Sequence, residues 1–137
     1  MKDDKYFLNK AVEIGKKGPK PRPFGAVIVK NGKIIAADFN HVDERSDPSA
    51  HAEVSAIVKA CKKLGSRNLE GCTLYASHEP CLMCFSCAVW ARVSKIIFGT
   101  PASEVDGFTY EFHDVNIFEL AKKSTRPITI KRLKIDG

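Results

Sequence analysis

Three residues in the middle of the chain are of the types that hold a zinc ion: His51, Cys81 and Cys84. One imidazole and two thiolates give three protein ligands and leave the fourth tetrahedral position open for water, as a catalytic zinc site requires. Two thiolates also cancel the charge of the ion, so a nearby carboxylate must help to take the proton of that water. Glu53, two residues after His51, supplies a carboxylate at a position where it could take this proton. The pattern His-x-Glu followed by Pro-Cys-x-x-Cys therefore predicts a zinc site that activates water.

The local sequence predicts how these side chains are positioned. Pro48 and Pro80 each look like the first residue of a helix, where the missing N–H costs nothing. His51 then falls in the first turn of one helix, and Cys81 and Cys84 fall in the first turn of another. Two helix N-termini directed at one point would lower the pKa of the thiols and favour a bound hydroxide.

The remaining hydrophobic pattern predicts an α/β fold. Asn31-Gly32 between two apolar runs predicts a hairpin with a tight turn, and both of its strands are apolar enough to be covered on both faces. From the third strand onward strands alternate with helices, which predicts parallel pairs and helices on both faces of a mixed sheet. The predicted helices span 3–15, 48–64, 80–92 and 114–123, the predicted strands span 24–30, 33–40, 73–76, 95–98 and 128–130, and 41–47 and 101–111 are predicted to be irregular.

Length and composition favour one globular domain over residues 1–137, with 44% hydrophobic and 28% charged residues. No apolar run is long enough to cross a membrane, and the first residues lack the apolar segment of a signal peptide. Five cysteines, an odd number, favour reduced thiols and a cytoplasmic location. The net charge of +6 permits a nucleic-acid partner, although the basic loop over 16–22 is more simply a solvated connection.

With these motifs in place, the chain resembles the cytidine deaminase superfamily, within its nucleobase and tRNA branch. The likeness covers about residues 5 to 133, and the matching segments are Phe24–Val29, Asn40, Asp47–Glu53, Leu74–Tyr75, Glu79–Cys84 and Trp90–Arg92. The resemblance implies a three-layer α/β/α sandwich around a five-stranded mixed sheet, one Zn²⁺ per chain and a homodimer. It also implies hydrolytic deamination, in which zinc activates water toward an amidine carbon. Glu53 then carries protons to the ring nitrogen and to the leaving amine.

Within this superfamily the chain most resembles guanine deaminases, which implies a purine base or nucleoside as substrate. By similarity, Asn40 would hydrogen-bond the base, while Phe24, Ala52 and Trp90 would line its site. His78 stands where Cys or Leu is usual, and could contact the substrate, donate to a zinc thiolate or be a plain loop residue. His41 and His113 are expected at the surface.

The chain departs from guanine deaminases in one segment. Those enzymes carry acidic residues directly after a Gly-Phe pair, whereas here Gly107-Phe108 is followed by Thr109 and Tyr110, and Glu111 comes next. The chain also ends at Gly137 without the C-terminal extension that closes their site. These differences leave open which base or nucleoside is the substrate.

Four functions therefore remain to be compared. The first is deamination of guanine or a related purine, the second is tRNA adenosine-to-inosine deamination, and the third is deamination of cytosine or cytidine. The fourth is a catalytically silent module that binds zinc or nucleic acid, for which Glu53 would have no use. A structural zinc knuckle would need a second ligand pair, and Cys61 and Cys72 are not so spaced. Cys87 could compete as a ligand but is expected to pack as a small apolar residue.

Overall fold

The computed structural model describes residues 2–105, 110–112 and 114–135. The Gly107-Phe108 pair, Thr109, His113 and Gly137 lie outside the described residues. The elements are α1 (Asp4–Lys16), β1 (Gly25–Lys30), β2 (Lys33–Phe39), α2 (Val42–Arg45), α3 (Ala52–Leu64), β3 (Cys72–His78), α4 (Leu82–Trp90), β4 (Lys95–Thr100), a 3₁₀ turn (Ala102–Glu104), α5 (Ile117–Ala121) and β5 (Thr129–Arg132).

The five strands form one mixed sheet in the spatial order β2-β1-β3-β4-β5. β1 pairs antiparallel with β2 and β3, whereas β3 pairs parallel with β4 and β4 pairs parallel with β5. The parallel neighbours β3 and β4 are joined through α4, as a parallel pair requires a crossover. α1 packs on one face of the sheet, and α3 and α4 pack on the other. The predicted three-layer α/β/α sandwich is confirmed.

The hairpin between β1 and β2 forms as the sequence predicts. Asn31 and Gly32 have φ angles of 51° and 77°, the left-handed values that a two-residue turn of this kind needs. β1 is buried along nearly its whole length, which agrees with the predicted cover on both faces. β2 is different, because it is the edge strand and its residues are mostly exposed or half-buried. The prediction that both strands are fully covered was therefore wrong for β2.

α1 lies close against β1 because two glycines allow it. A Cβ at Gly25 would collide with the carbonyl oxygen of Ala11, and a Cβ at Gly15 would collide with that of Pro23. Asp3 caps the helix by accepting the N–H of Tyr6 at 3.0 Å. On the opposite face of the sheet, the buried alanines of α3 hold that helix against the strands; they are Ala52, Ala56 and Ala60.

Two helices begin later than the sequence predicts, and this matters for the site. Asp47 accepts hydrogen bonds from both the backbone N–H and the hydroxyl of Ser49, so the chain makes a turn at Pro48 and α3 starts only at Ala52. α4 likewise starts at Leu82, two residues after Pro80.

Two further boundaries differ from the prediction. The short helix α2 occupies part of the segment predicted to be a polar loop. α5 is shorter than predicted because Asn116 caps it, accepting the N–H groups of Phe118 and Glu119. Within the described residues, no helix combines the length and apolarity needed to cross a bilayer.

Candidate active site

The starts of α3 and α4 bring three soft ligands together. His51 is the N-cap of α3, with ψ of 161°, and Cys81 is the N-cap of α4, with ψ of 172°. Neither side chain caps its own helix, so both remain free to turn toward a common point. Cys84, three residues on, is buried in the first turn of α4. The extended backbone at His51 also explains how Glu53, only two positions later, reaches the same centre.

The donor atoms fit a zinc ion. His51 Nδ1 lies 3.7 Å from Cys81 Sγ and 3.4 Å from Cys84 Sγ, and all three donor atoms lie within 4.8 Å of one another. A tetrahedral ion with typical Zn–N and Zn–S bond lengths would separate nitrogen from sulfur by about 3.6 Å. Three soft donors at this spacing therefore suit Zn²⁺ and leave one position for water.

A hydrogen bond between the two thiols shifts their pKa values in opposite directions. The hydrogen bond from the Cys84 thiol lowers the pKa of Cys81 to about 4, and His51 acts in the same direction. The same bond between the thiols, together with burial, raises the pKa of Cys84. A zinc ion held here would be bound by both sulfurs as thiolates, with the thiol protons released.

Glu53 is placed to move protons at this centre. Its side chain is only 6% exposed and lies close enough to Cys81 and His51 for their charges to act on it. Burial, reinforced by the charge of Cys81, raises the pKa of Glu53 to about 7. A carboxyl group with a pKa near neutrality can both accept and return a proton, which is the property of a general acid–base catalyst.

A cavity of about 890 Å³ opens onto the ligands, a size suited to a small aromatic substrate. His51, Ala52 and Cys81 line it, and so do Phe24 and Asn40. The structure thus brings the predicted ligands His51 and Cys81 together with three of the four predicted substrate contacts.

Asn40 presents a hydrogen-bond donor to this cavity. Its Oδ1 accepts the backbone N–H of Val42 at 2.8 Å, so the amide NH₂ remains to bind an acceptor on a substrate. The next residue, His41, is buried rather than at the surface as predicted. Its Nε2 lies 2.5 Å from Asp38 Oδ1 and its Nδ1 lies 2.8 Å from Glu44 Oε1. This network, which joins buried Asp38 and His41 to the exposed Glu44, fixes the chain on both sides of Asn40 just after the end of β2.

His78 supports Phe24 from behind and does not line the cavity. The two rings stack at a centroid distance of 4.1 Å and an interplanar angle of 37°. His78 Nδ1 lies 2.7 Å from Ser77 Oγ, which in turn accepts the N–H of Gly25 at 2.9 Å. Burial lowers the pKa of His78 to about 4, so the imidazole is neutral at physiological pH.

Trp90 does not line this cavity within a single chain, and its contact with substrate stays a prediction. It is the last residue of α4, whereas the ligands lie at the first turn, so the two sit at opposite ends of the helix. Its side chain is 77% exposed and lines a separate depression. Cys87 lies three residues beyond Cys84 in α4, half-buried, and is outside the cluster of donors.

Several residues beyond the predicted site also line the cavity. Arg22, Tyr110, Glu111 and Asp114 all line it. The Tyr110 hydroxyl donates to the backbone oxygen of Glu79, which ties the segment around residue 110 to the start of α4. The positions of these residues depend on contacts between distant segments. From the sequence, Arg22 was expected only in the basic loop over 16–22, and Tyr110 and Glu111 only in the segment that departs from guanine deaminases.

Comparison with known proteins now identifies the fold and the centre. The family model of the cytidine and deoxycytidylate deaminase zinc-binding region matches residues 1–100. The chain belongs to this family. Members are zinc-dependent hydrolytic deaminases, and His51, Cys81 and Cys84 are positioned for the zinc ion.

Two kinds of deaminase are similar to the chain. It is 43% identical over 127 residues to a guanine deaminase of Bacillus subtilis, spanning 90% of the chain and 80% of that protein. It is 46% identical over 110 residues to a tRNA-specific adenosine deaminase of Aquifex aeolicus, spanning 79% of the chain and 73% of that protein. A solved guanine deaminase from Nitrosomonas europaea superposes with a TM-score of 0.82 at 25% identity, covering 96% of the chain and 78% of that structure.

Proposed function

We propose that this deaminase acts on free guanine or a closely related purine and releases ammonia. The observation that supports this substrate is the set of hydrogen-bonding groups that line the cavity together with the metal ligands. Glu111 and Asp114 supply carboxylates there, and Asn40 supplies an amide donor. Guanine offers N–H donors on both rings and acceptors at O6 and N7, so it can satisfy both kinds of group at once.

Adenosine is a poorer match for the same wall. The adenine ring of a nucleoside has no ring N–H, and its only amine is the group that leaves. Carboxylates at Glu111 and Asp114 would face acceptors or a phosphate chain, which is unfavourable. The likeness to the guanine deaminase also extends over 127 residues, against 110 for the Aquifex tRNA deaminase.

The reaction follows from the positions of the side chains. When bound, Zn²⁺ supplies the Lewis acidity that lowers the pKa of a water molecule. Glu53 takes the proton that the attacking water gives up and delivers it to the ring nitrogen beside the amine-bearing carbon. It then takes the second proton, from the hydroxyl group added to that carbon, and gives it to the amine, which leaves as ammonia, so that guanine and water give xanthine and ammonia. Phe24 holds the purine plane, and Asn40 fixes its orientation.

A tRNA adenosine deaminase is the second candidate, because Arg22 lines the mouth of the cavity and the net charge is +6. A cytosine-type substrate has a single ring and would fill less of the cavity than a purine does. We propose a cytoplasmic homodimer as the working form, by similarity to the family.

Turnover on a substrate panel tests the proposal. Zinc-loaded protein is offered guanine, guanosine, adenine, cytosine, cytidine and a tRNA anticodon stem-loop, and ammonia release is followed. We expect guanine to give the highest kcat/KM. Inosine formation in the stem-loop with no activity on free bases would contradict the proposal and favour the second candidate.

A further inference from the structure

His41 is a buried histidine just beyond the end of β2 that the catalytic steps do not use. It is only 7% exposed and does not line the catalytic cavity, although its neighbours Asn40 and Val42 do. Its Nε2 lies 2.5 Å from Asp38 Oδ1, and its Nδ1 lies 2.8 Å from Glu44 Oε1. Each of the two ring nitrogens therefore has a carboxylate partner, and together these contacts fix both the position and the rotation of the imidazole.

The contacts of His41 join three separate parts of the fold. Asp38 is a buried residue of β2, and Glu44 belongs to α2. The backbone N–H of His41 donates to the carbonyl oxygen of Ala50 at 2.9 Å, and Ala50 directly precedes the metal ligand His51. His41 therefore connects the sheet, α2 and the segment that leads into the metal site.

Burial makes the contact between His41 and Asp38 costly to lose. Burial acts to raise the pKa of the Asp38 carboxyl, but hydrogen bonds from His41 and from the backbone N–H of Phe39 outweigh it and lower the pKa. Lys59 Nζ, on an exposed side chain, adds an ion pair 3.3 Å from Asp38 Oδ2. A buried carboxylate that loses a hydrogen-bond donor is unfavourable, so removal of the imidazole should displace the chain around residue 40.

We propose that His41 is a positioning residue for the deamination and that it acts through Asn40. The hydrogen bond between Asp38 and His41 closes a short span of chain that contains Asn40. Within this span, Asn40 Oδ1 accepts the backbone N–H of Val42 at 2.8 Å, so the direction of the amide NH₂ follows the backbone that His41 holds. The inference rests on the proposed function, in which this NH₂ binds the base.

Steady-state kinetics of His41→Ala test this role, on whichever base the zinc-loaded wild type deaminates. A displaced Asn40 would weaken binding of the base before and during the reaction alike, so KM should rise on the order of tenfold with a smaller change in kcat. A variant that only folded less well would contain fewer active molecules, which lowers kcat and leaves KM unchanged. His41→Gln should restore most of the affinity, because its amide nitrogen can replace Nε2 as the donor to Asp38.

A double-mutant cycle shows whether His41 acts through Asn40. Asn40→Ala removes the amide and should by itself raise KM on the order of tenfold. Addition of His41→Ala to this variant should change KM by less than about twofold, because the group that His41 positions is already gone. Two residues that acted independently would instead multiply their effects on KM.

Two further variants guard against a loss of folding. Glu44→Ala removes the outer partner of the imidazole at an exposed residue, so it gives the same comparison if His41→Ala does not fold. It should raise KM about threefold, and only where Asn40 is present. Tyr75→Phe is the matched control, because it removes the 2.6 Å hydrogen bond to Asp4 on the opposite face of the sheet. It should leave KM within about twofold of the wild type.

Four results would overturn the inference: no rise in KM in any folded variant of His41 or Glu44, an equal rise with and without Asn40, an equal rise in Tyr75→Phe and His41→Ala, or an unchanged KM in Asn40→Ala. The kinetics use the base that the wild type deaminates. A substrate other than guanine would therefore contradict the proposed function and leave the cycle between His41 and Asn40 intact, so the two failures are distinguishable.

Discussion

His51 Nδ1 lies 3.4 Å from Cys84 Sγ, although 33 positions separate the two residues in the chain. The contact exists because α3 and α4 both begin at one edge of the site, with His51 and Cys81 as their N-caps. Both N-caps have extended backbones, so their side chains turn away from their own helices and toward the common centre. The N-terminal ends of two helices also favour the negative charge of thiolates there.

Replacement of Cys84 by Ala should abolish stoichiometric zinc binding. Cys84 supplies one of only three protein donors, so its loss should lower zinc affinity by more than the roughly 10–100-fold typical of changes beyond the ligands. Metal content by mass spectrometry and competition with a chelator measure the effect. Cys87→Ala is the matched control, since Cys87 lies in the same helix outside the donor cluster, and it should keep one zinc. Equal zinc loss in both variants would show that Cys87 is a ligand.

Replacement of Asn40 by aspartate should separate the two roles of this side chain. The new carboxylate would still accept the N–H of Val42, now observed at 2.8 Å, but would offer an oxygen in place of the NH₂ donor. We expect kcat/KM for guanine to fall by about 100-fold or more, because an acceptor of the base would then face a carboxylate. The thermal midpoint should change little. An unchanged kcat/KM would remove Asn40 from the substrate site.

Neutralising the carboxylates of the cavity wall should weaken guanine binding. Glu111→Gln and Asp114→Asn each remove a charge-assisted hydrogen bond, and should raise KM roughly 10-fold or more with a smaller effect on kcat. Steady-state kinetics measure both parameters. Glu119→Gln is the control: this exposed carboxylate pairs with Lys122 at 3.2 Å and does not line the cavity. Should KM be the same in all three variants, these carboxylates would no longer support guanine as the substrate.

The His78 imidazole should make the folded protein acid-sensitive. Its pKa is about 4 in the fold, below the ordinary value of 6.5, because burial disfavours the cation. As the pH falls from 6.5 to 4, His78 binds a proton in the unfolded chain but stays neutral in the folded chain. The free energy of unfolding therefore falls across this pH range. The loss reaches at most about 3 kcal/mol, and less because the side chain is only partly buried.

His78→Leu tests this acid sensitivity, since leucine cannot titrate and can still pack against Phe24. Urea unfolding at pH values between about 4 and 7 gives the free energy of unfolding of each protein. The wild type should lose more stability than the variant over this range. If the free energy of unfolding changes with pH by the same amount in both proteins, His78 is protonated as readily in the folded chain as in the unfolded chain.

Much of the fold followed from local sequence, because hydrophobic periodicity and turn residues act over short distances. The Asn31-Gly32 hairpin, the helix capped by Asp3 and the parallel segment around α4 all formed as predicted. The start of α3 did not, since the Asp47 turn overrides the preference of Pro48 for a first helical position. The hydrogen bond from the Ser49 N–H to the Asp47 side chain is harder to predict from the sequence than the preference of a proline for the start of a helix.

The candidate site could likewise be predicted from the sequence only in part. The ligands were predictable because zinc chemistry constrains residue type and spacing together, as at Cys81 and Cys84. The burial of His41 depends on Asp38 and Glu44, which carried no such signal. Trp90 is the last residue of α4, whereas the ligands lie at the start of that helix, so its distance from the cavity follows from the direction in which α4 runs.

The Glu53→Gln variant tests the central claim most directly: that one zinc centre makes the attacking water and Glu53 carries its proton. Glutamine keeps the shape of the side chain but cannot accept or return a proton. We predict one zinc per chain and a turnover rate lower by several orders of magnitude on whichever base the wild type deaminates. Turnover close to that of the wild type, with zinc fully bound, would contradict this claim.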